Sequence, residues 1–380
     1  MTVRNLRAAL TAILLSAAAA GAVAVTLSAP AQALTVSAKV GPLVNEAKAL
    51  ANAGNYQGAL AKLKEADAVK STPDDTAVIT SMRQFIGVKT GDAALGGAAG
   101  AKAKFANDYN AGKWKDVIAD ADLLKKNNAF GPQEQLIIAQ AYFKANDFTG
   151  CVRYIKTIPQ SDTALELQAR CAYETGDEAT QRASYEQLVA RSGKPEYWKG
   201  LLKLGERSRG LSDHNTLDIE RLKLLTGTMD TKDDYVSLAQ FALQFKLAAE
   251  AQAALEKGVA AKVLTDDRSM RLLANAKAQA AANQADRAKT LAAAKAAPQG
   301  DDLVLVGEMM IGEGKAKEAI PLIQEGQKKP LKDANNAQIR LGQAYLAAGQ
   351  KADAKAAFAK VKAPEKDAMV AHLWTLAASK

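Results

Sequence analysis

Small side chains recur along this chain in pairs twelve residues apart: Ala47 and Ala59, Ala139 and Cys151, Ala239 and Ala251, Ala276 and Ala288, Gly307 and Ala319, Gly342 and Ala354. Five positions before the second member of each pair stands a candidate turn residue: Gly54, Asn146, Lys246, Asn283, Gly314 and Gly349. Four positions after the second member comes a bulky residue, Leu63, Ile155, Leu255, Ile323 or Phe358, except at Ala292. Each unit therefore predicts one helix, a tight turn and a second helix. The small residues lie where the two helices cross and where bulk would push them apart. The larger residues fill the space beside the crossing.

Some stretches depart from this pattern. Ala169 has Gln181 twelve positions later, where a small residue is expected. Residues 195–232 predict two helices, over 195–207 and 216–226, without the anchors. The glycine-rich run 91–101 breaks the phase and predicts a helix junction. The last segment, 367–379, predicts a terminal helix whose Leu373 and Trp374 cover the stacking face that a final repeat would otherwise expose.

Together the small, turn and bulky positions resemble the tetratricopeptide repeat family, most clearly in Leu341 to Phe358, Val306 to Ile323, Ile138 to Ile155 and Leu238 to Leu255. Ala288, Ala319 and Ala354 are 31 and 35 residues apart, near the family period of about 34. The resemblance implies an all-α fold, a right-handed α-solenoid of antiparallel helix pairs following a signal peptide. It divides the chain into residues 34–207, a less regular junction at 208–232, residues 233–366 and a capping helix at 367–380. It also implies that first helices line a concave groove, which places Gln140, Phe143, Arg170, Tyr173, Gln240, Leu243, Lys277, Gln343 and Leu346 at exposed groove positions. Amide, aromatic, aliphatic and cationic groups in that mixture suit an extended peptide or a helix. The function it implies is a non-enzymatic scaffold for protein partners. A solenoid accessory to a cell-wall enzyme, or a structural spacer without a peptide ligand, is the alternative.

Composition supports the helical expectation. The 380 residues are 48% hydrophobic but only 5% aromatic, with 10 prolines, and much of the apolar share is alanine. Alanine supplies helix propensity and little bulk, which suits closely packed helix pairs. At the amino terminus, Arg4 and Arg7 precede an uncharged apolar stretch from Ala8 to Ala29, then Pro30 and Ala31-Gln32-Ala33. That order predicts a signal peptide, residues 1–33, cleaved after Ala33. The mature protein is then expected in the periplasm or secreted space, with envelope proteins or peptides as its partners. Membrane association would come only through an uncleaved signal. Loss of Arg4 and Arg7 brings the formal charge from +9 to +7, with both signs interleaved, so no nucleic-acid stripe is expected.

The chain lacks the residues catalysis would draw on. Its two histidines, His214 and His372, lie far apart. Ser212-Asp213-His214 cannot align as nucleophile, base and orienter, because neighbouring side chains point in different directions. In Gly96 to Lys102 the lysine does not follow glycine and no Ser or Thr comes next, so a phosphate loop is not expected. Two histidines and two cysteines without ligand spacing predict neither a metal site nor a cofactor. Cys151 and Cys171 fall on consecutive antiparallel helices at similar heights. They are either disulfide-bonded, as an oxidising compartment would allow, or a pair of buried thiols.

Overall fold

The computed structural model describes residues 34–380, so the predicted signal peptide, 1–33, lies outside the described residues. Those residues form twenty helices and no strand. They fall into two compact units that part between Phe130 and Gly131. The less regular stretch expected at 208–232 lies inside the second unit.

The first unit holds α1 (Val40–Asn52), α2 (Tyr56–Val69), α3 (Pro73–Thr90), α4 (Ala93–Asn110) and α5 (Trp114–Lys126). Proline at the first position and a Thr72–Asp75 capping box start α3, satisfying amide groups that a helix N-terminus leaves without partners. The fully buried Asp75 also accepts from the Ser37 backbone N–H at 2.8 Å and Ser71 N–H at 2.9 Å, while Asp74 accepts from Thr35 N–H. Residues 35–37 are thereby tied to the start of α3. The Ser71 amide, outweighing burial with help from Ser37, holds the Asp75 carboxyl well below the usual carboxylate range. The glycine-rich run forms the close crossing of α3 and α4. A Cβ on Gly96 would come within 2.8 Å of the Gly87 carbonyl carbon, so neither position tolerates a side chain.

The second unit begins with α6 (Pro132–Lys144), α7 (Phe148–Ile155), α8 (Asp162–Thr175), α9 (Glu178–Ser192), α10 (Pro195–Glu206) and α11 (Asp213–Leu225). It continues through α12 (Lys232–Gln244), α13 (Ala248–Ala260), α14 (Asp267–Ala285), α15 (Arg287–Ala296), α16 (Asp301–Gly312) and α17 (Ala316–Gly326). It ends with α18 (Ala334–Ala347), α19 (Lys351–Phe358) and α20 (Glu365–Ala377).

Five of the six anchor pairs are buried at both members. Gly342 lies against the Phe358 ring and Gly307 against Ile323, the bulky residues of their own units. Gly54, Asn146, Lys246, Gly314 and Gly349 all have positive φ, the left-handed conformation that ends a helix and turns the chain back. The pair Ala276 and Ala288 is the correction. Here α14 runs through Asn283 and stops at Ala285, and Ala288 is exposed. The stretch before Asn283 is rich in Ala, Gln and Lys, which favour helix, and it has no glycine to stop the helix early. Conversely, Gly176 takes φ 70° between α8 and α9, so the helix–turn–helix persists there although Gln181 replaces the small residue.

The last helix does more than cap α19. Val370, Leu373 and Trp374 of α20 join one core with Leu188, Val189, Trp198, Leu201, Ile219 and Leu222, as well as with Ile339 and Phe358. Asp367 receives Asn215 from α11 at 3.0 Å and Asn335 from α18 at 2.9 Å. Thus α20 returns to α9, α10 and α11 and closes the second unit on itself. The helices at 195–225, which lack the anchors, pack Trp198, Leu201 and Leu202 into this shared core.

Candidate partner-binding site

The expected groove residues separate into an open group and an occupied one. Gln140 and Phe143 on α6 and Arg170 and Tyr173 on α8 occupy neighbouring helices. The Arg170 guanidinium stands 4.6 Å from the Phe143 ring centroid, which in turn packs edge-on against Phe148 at 5.4 Å. Tyr173 is 56% exposed, the most exposed large apolar side chain among the described residues. An aromatic face, a guanidinium held over it and an exposed phenol make a surface able to stack and to donate hydrogen bonds.

Beneath this surface, Cys151 of α7 and Cys171 of α8 are joined as a disulfide, with Cα atoms 6.2 Å apart and both residues fully buried. Cys151 occupies the anchor position at which α7 crosses α6, so the bond ties α8 to that crossing. This fixes the slope of α8, and with it Arg170 and Tyr173, relative to α7.

Elsewhere the expected positions are mixed. Leu243 packs against the core around α12 and α13, and Leu346 against the core that α20 completes. Lys277 pairs with Glu256 at 3.0 Å, and Gln240 is exposed. Gln343 is not exposed as expected: it is buried inside an ionic network. There its amide donates to Asp218 Oδ1 at 2.7 Å and accepts from Arg340 at 2.6 Å.

That network is the feature sequence reasoning missed. Arg340, fully buried on α18, forks onto both oxygens of Asp218 on α11 and approaches Glu308 of α16 at 3.0 Å. Arg221 of α11 grips both oxygens of Glu250 at 2.6 Å and reaches Glu308 at 2.9 Å. Burial alone would raise the Asp218 carboxyl, but the Arg340 and Arg221 guanidiniums outweigh it and hold it below the usual range. Burial alone would also lower Arg221, yet Glu250 and Glu308 raise it well above the ordinary arginine value. The signal was faint but present: Arg340 and Glu308 each interrupt an otherwise apolar run, Ile339 to Leu341 and Val304 to Ile311. Asp218, the partner of Arg340, lies 122 residues from it, beyond the reach of local periodicity.

Ser212 is the N-cap of α11, accepting from Asn215 N–H, and His214 stacks on Phe245 at 4.0 Å. The three-residue string is therefore a helix start. No cluster that could hold a metal ion occurs among the described residues, and no helix among them is long and apolar enough to cross a membrane.

The class this fold defines is an all-α array of antiparallel helix pairs of the tetratricopeptide-like kind. No protein-family model matches the chain, and no curated protein does. Among solved structures, it is similar to a chain of Naa15/Naa10 bound to HypK-THB, at 12% identity over 84% of this chain and 52% of that one, with a TM-score of 0.31. It is also similar to a tetratricopeptide repeat protein from Parabacteroides merdae (11% identity, 89% and 98% coverage, TM-score 0.20). A third is the Cut9-Hcn1 hetero-tetramer of APC/C (11% identity, 88% and 66%, TM-score 0.23). The chain spans about half the length of the first of these. At such scores the overlaps carry no argument; the class rests on the buried anchors and left-handed turns described above.

Proposed function

We propose that this chain is a non-catalytic scaffold that holds a protein partner on the α6–α8 surface, exported to the bacterial periplasm or secreted space to serve an envelope assembly. The observation that carries the reading is the contrast within the second unit. Tyr173 is open, with the Arg170 guanidinium over Phe143 beside it, whereas Gln343 is buried in the ionic network. Aromatic and arginine side chains of this kind are the usual anchors of protein interfaces. Export is supported by the Ala31-Gln32-Ala33 sequence and by a disulfide, which persists in oxidising compartments.

The test is a photo-crosslinking residue placed at Tyr173 in the full chain, activated in native cells. The expected result is one reproducible protein adduct in the envelope fraction, on a chain whose amino terminus is Leu34. Arg170→Ala should weaken capture about tenfold, as loss of an interface anchor does, with the helical circular dichroism unchanged. Absence of any reproducible adduct, or capture unaffected by Arg170→Ala, would overturn the binding reading. An uncleaved chain retained in the cytoplasm would overturn the export reading.

A further inference from the structure

A cavity of about 360 Å³ opens between the start of α11, the α12–α13 turn, α16 and the start of α18. One wall is the stacked pair His214 and Phe245. Val304, Ala337 and Glu308 are its buried lining residues, and Gln244, Lys246, Asp302, Lys332 and Asp333 are its exposed ones.

Charge is the informative feature. The buried network sets two arginines, Arg221 and Arg340, against three carboxylates, Asp218, Glu250 and Glu308. One negative charge is left over, and Glu308, 3% exposed, is one of the residues that line the cavity. Both arginines approach Glu308 at Oε1, at ion-pair distance but off the hydrogen-bond direction. Among the described residues none donates a hydrogen bond to either of its oxygens. A carboxylate this deeply buried normally has its lone pairs satisfied.

The rim adds to the imbalance. Asp301, Asp302 and Asp333 face Lys246 and Lys332. Asp301 accepts from the Lys332 backbone N–H and Asp333 caps α18, but Asp302 has no hydrogen-bond partner among the described residues. His214 Nδ1 is likewise buried without a partner, and burial lowers the ring's affinity for a proton, so the wall is a neutral acceptor over an aromatic face.

We propose that this cavity binds one organic cation, an ammonium or guanidinium group. The group would enter past Asp302 and lie along the His214–Phe245 wall with its charge on Glu308. A flat or short-chained cation gains stacking from the wall and neutralises the excess charge of the network. The site is separate from the α6–α8 surface and does not depend on it.

Calorimetric titration of the full mature chain at low ionic strength tests this, using N-acetyl-arginine amide, N-acetyl-lysine amide, spermidine and the neutral N-acetyl-glutamine amide. The cationic probes should bind and the glutamine amide should not. The probe that binds should shift the imidazole resonances of His214 and leave those of His372 in place. Asp302→Asn touches no network partner and should weaken binding about fivefold. Glu308→Gln, where it folds, should weaken it more than tenfold. Preference for the amino-acid amides points to a side chain of a peptide as the natural source, and preference for spermidine to a free amine; both support the site. No cation binding at millimolar concentration, equal binding of the glutamine amide, or unchanged affinity in Asp302→Asn would overturn it.

Discussion

Arg340 shows what one side chain can impose on an alanine-rich helix. It is fully buried, its guanidinium donates to Asp218, Asn336 and Gln343, and it stands at ion-pair distance from Glu308. Removing ions from water is costly, so a buried pair of this kind contributes little net stability but is costly to break from one side. Arg340→Met should therefore cost about 3–5 kcal/mol of unfolding free energy in urea melts. The double variant Arg340→Met with Asp218→Leu should recover much of that loss, because no unpaired charge remains. Acid dependence follows from Asp218, whose folded pKa is depressed. Its contribution is complete above the ordinary carboxylate value, about 4, and is lost as pH falls through the lower folded value, where the unfolded chain has already taken up the proton. His214, whose folded pKa lies below its ordinary 6.5, acts in the same direction, its cost growing as pH falls from that value. Equal acid sensitivity in wild type and the double variant would argue that the network is not what fails first.

At the scale of the helix pair, the decisive contacts are between small and large residues of the same unit. Gly342 accommodates the Phe358 ring, and Gly349, at φ 81°, turns the chain between their helices. Gly342→Val should cost about 1–3 kcal/mol through overpacking, measurable as a lowered urea midpoint. Unchanged stability would mean that Phe358 has room to move aside. These pairs were legible in the sequence because everything they need lies within about 17 residues. The left-handed turns at Gly54, Asn146, Gly314 and Gly349 were legible for the same reason. Asn283 was misread as a turn, since asparagine permits a left-handed residue without requiring one and the alanine-rich helix continued past it. The groove was legible only in part. The groove positions were what the family resemblance implies, and their burial differs: Tyr173 is exposed, but Gln343 is held by Asp218 from far along the chain. Periodicity gives the face of a helix, not what arrives to cover it.

For the second unit as a whole, α20 decides whether the array ends open or closed. Leu373 is fully buried and Trp374 is 5% exposed, the latter stacked 5.9 Å from Phe358. The same core extends to Trp198 and Leu201 on α10 and Ile219 on α11. His372 meets Glu186 of α9 at 3.3 Å, and the hydrogen bond to that carboxylate raises its pKa. The imidazole is half exposed, so solvent screening leaves this contact a minor one. What small contribution it makes is complete below pH 6.5 and fades as pH rises through the folded value. Burial of the aromatic core is the larger effect, since truncating a buried tryptophan costs about 3–5 kcal/mol. Trp374→Ala should thus loosen two regions together. Amide exchange should accelerate in α20 and also in α9, α10 and α11, at least 140 residues earlier, while α7 and α8, tied by Cys151–Cys171, keep their protection. Faster exchange confined to residues 351–380 would mean that α20 is only a terminal cap. Parallel acceleration at 195–225 would mean that the stretch without repeat anchors folds against the end of its own chain.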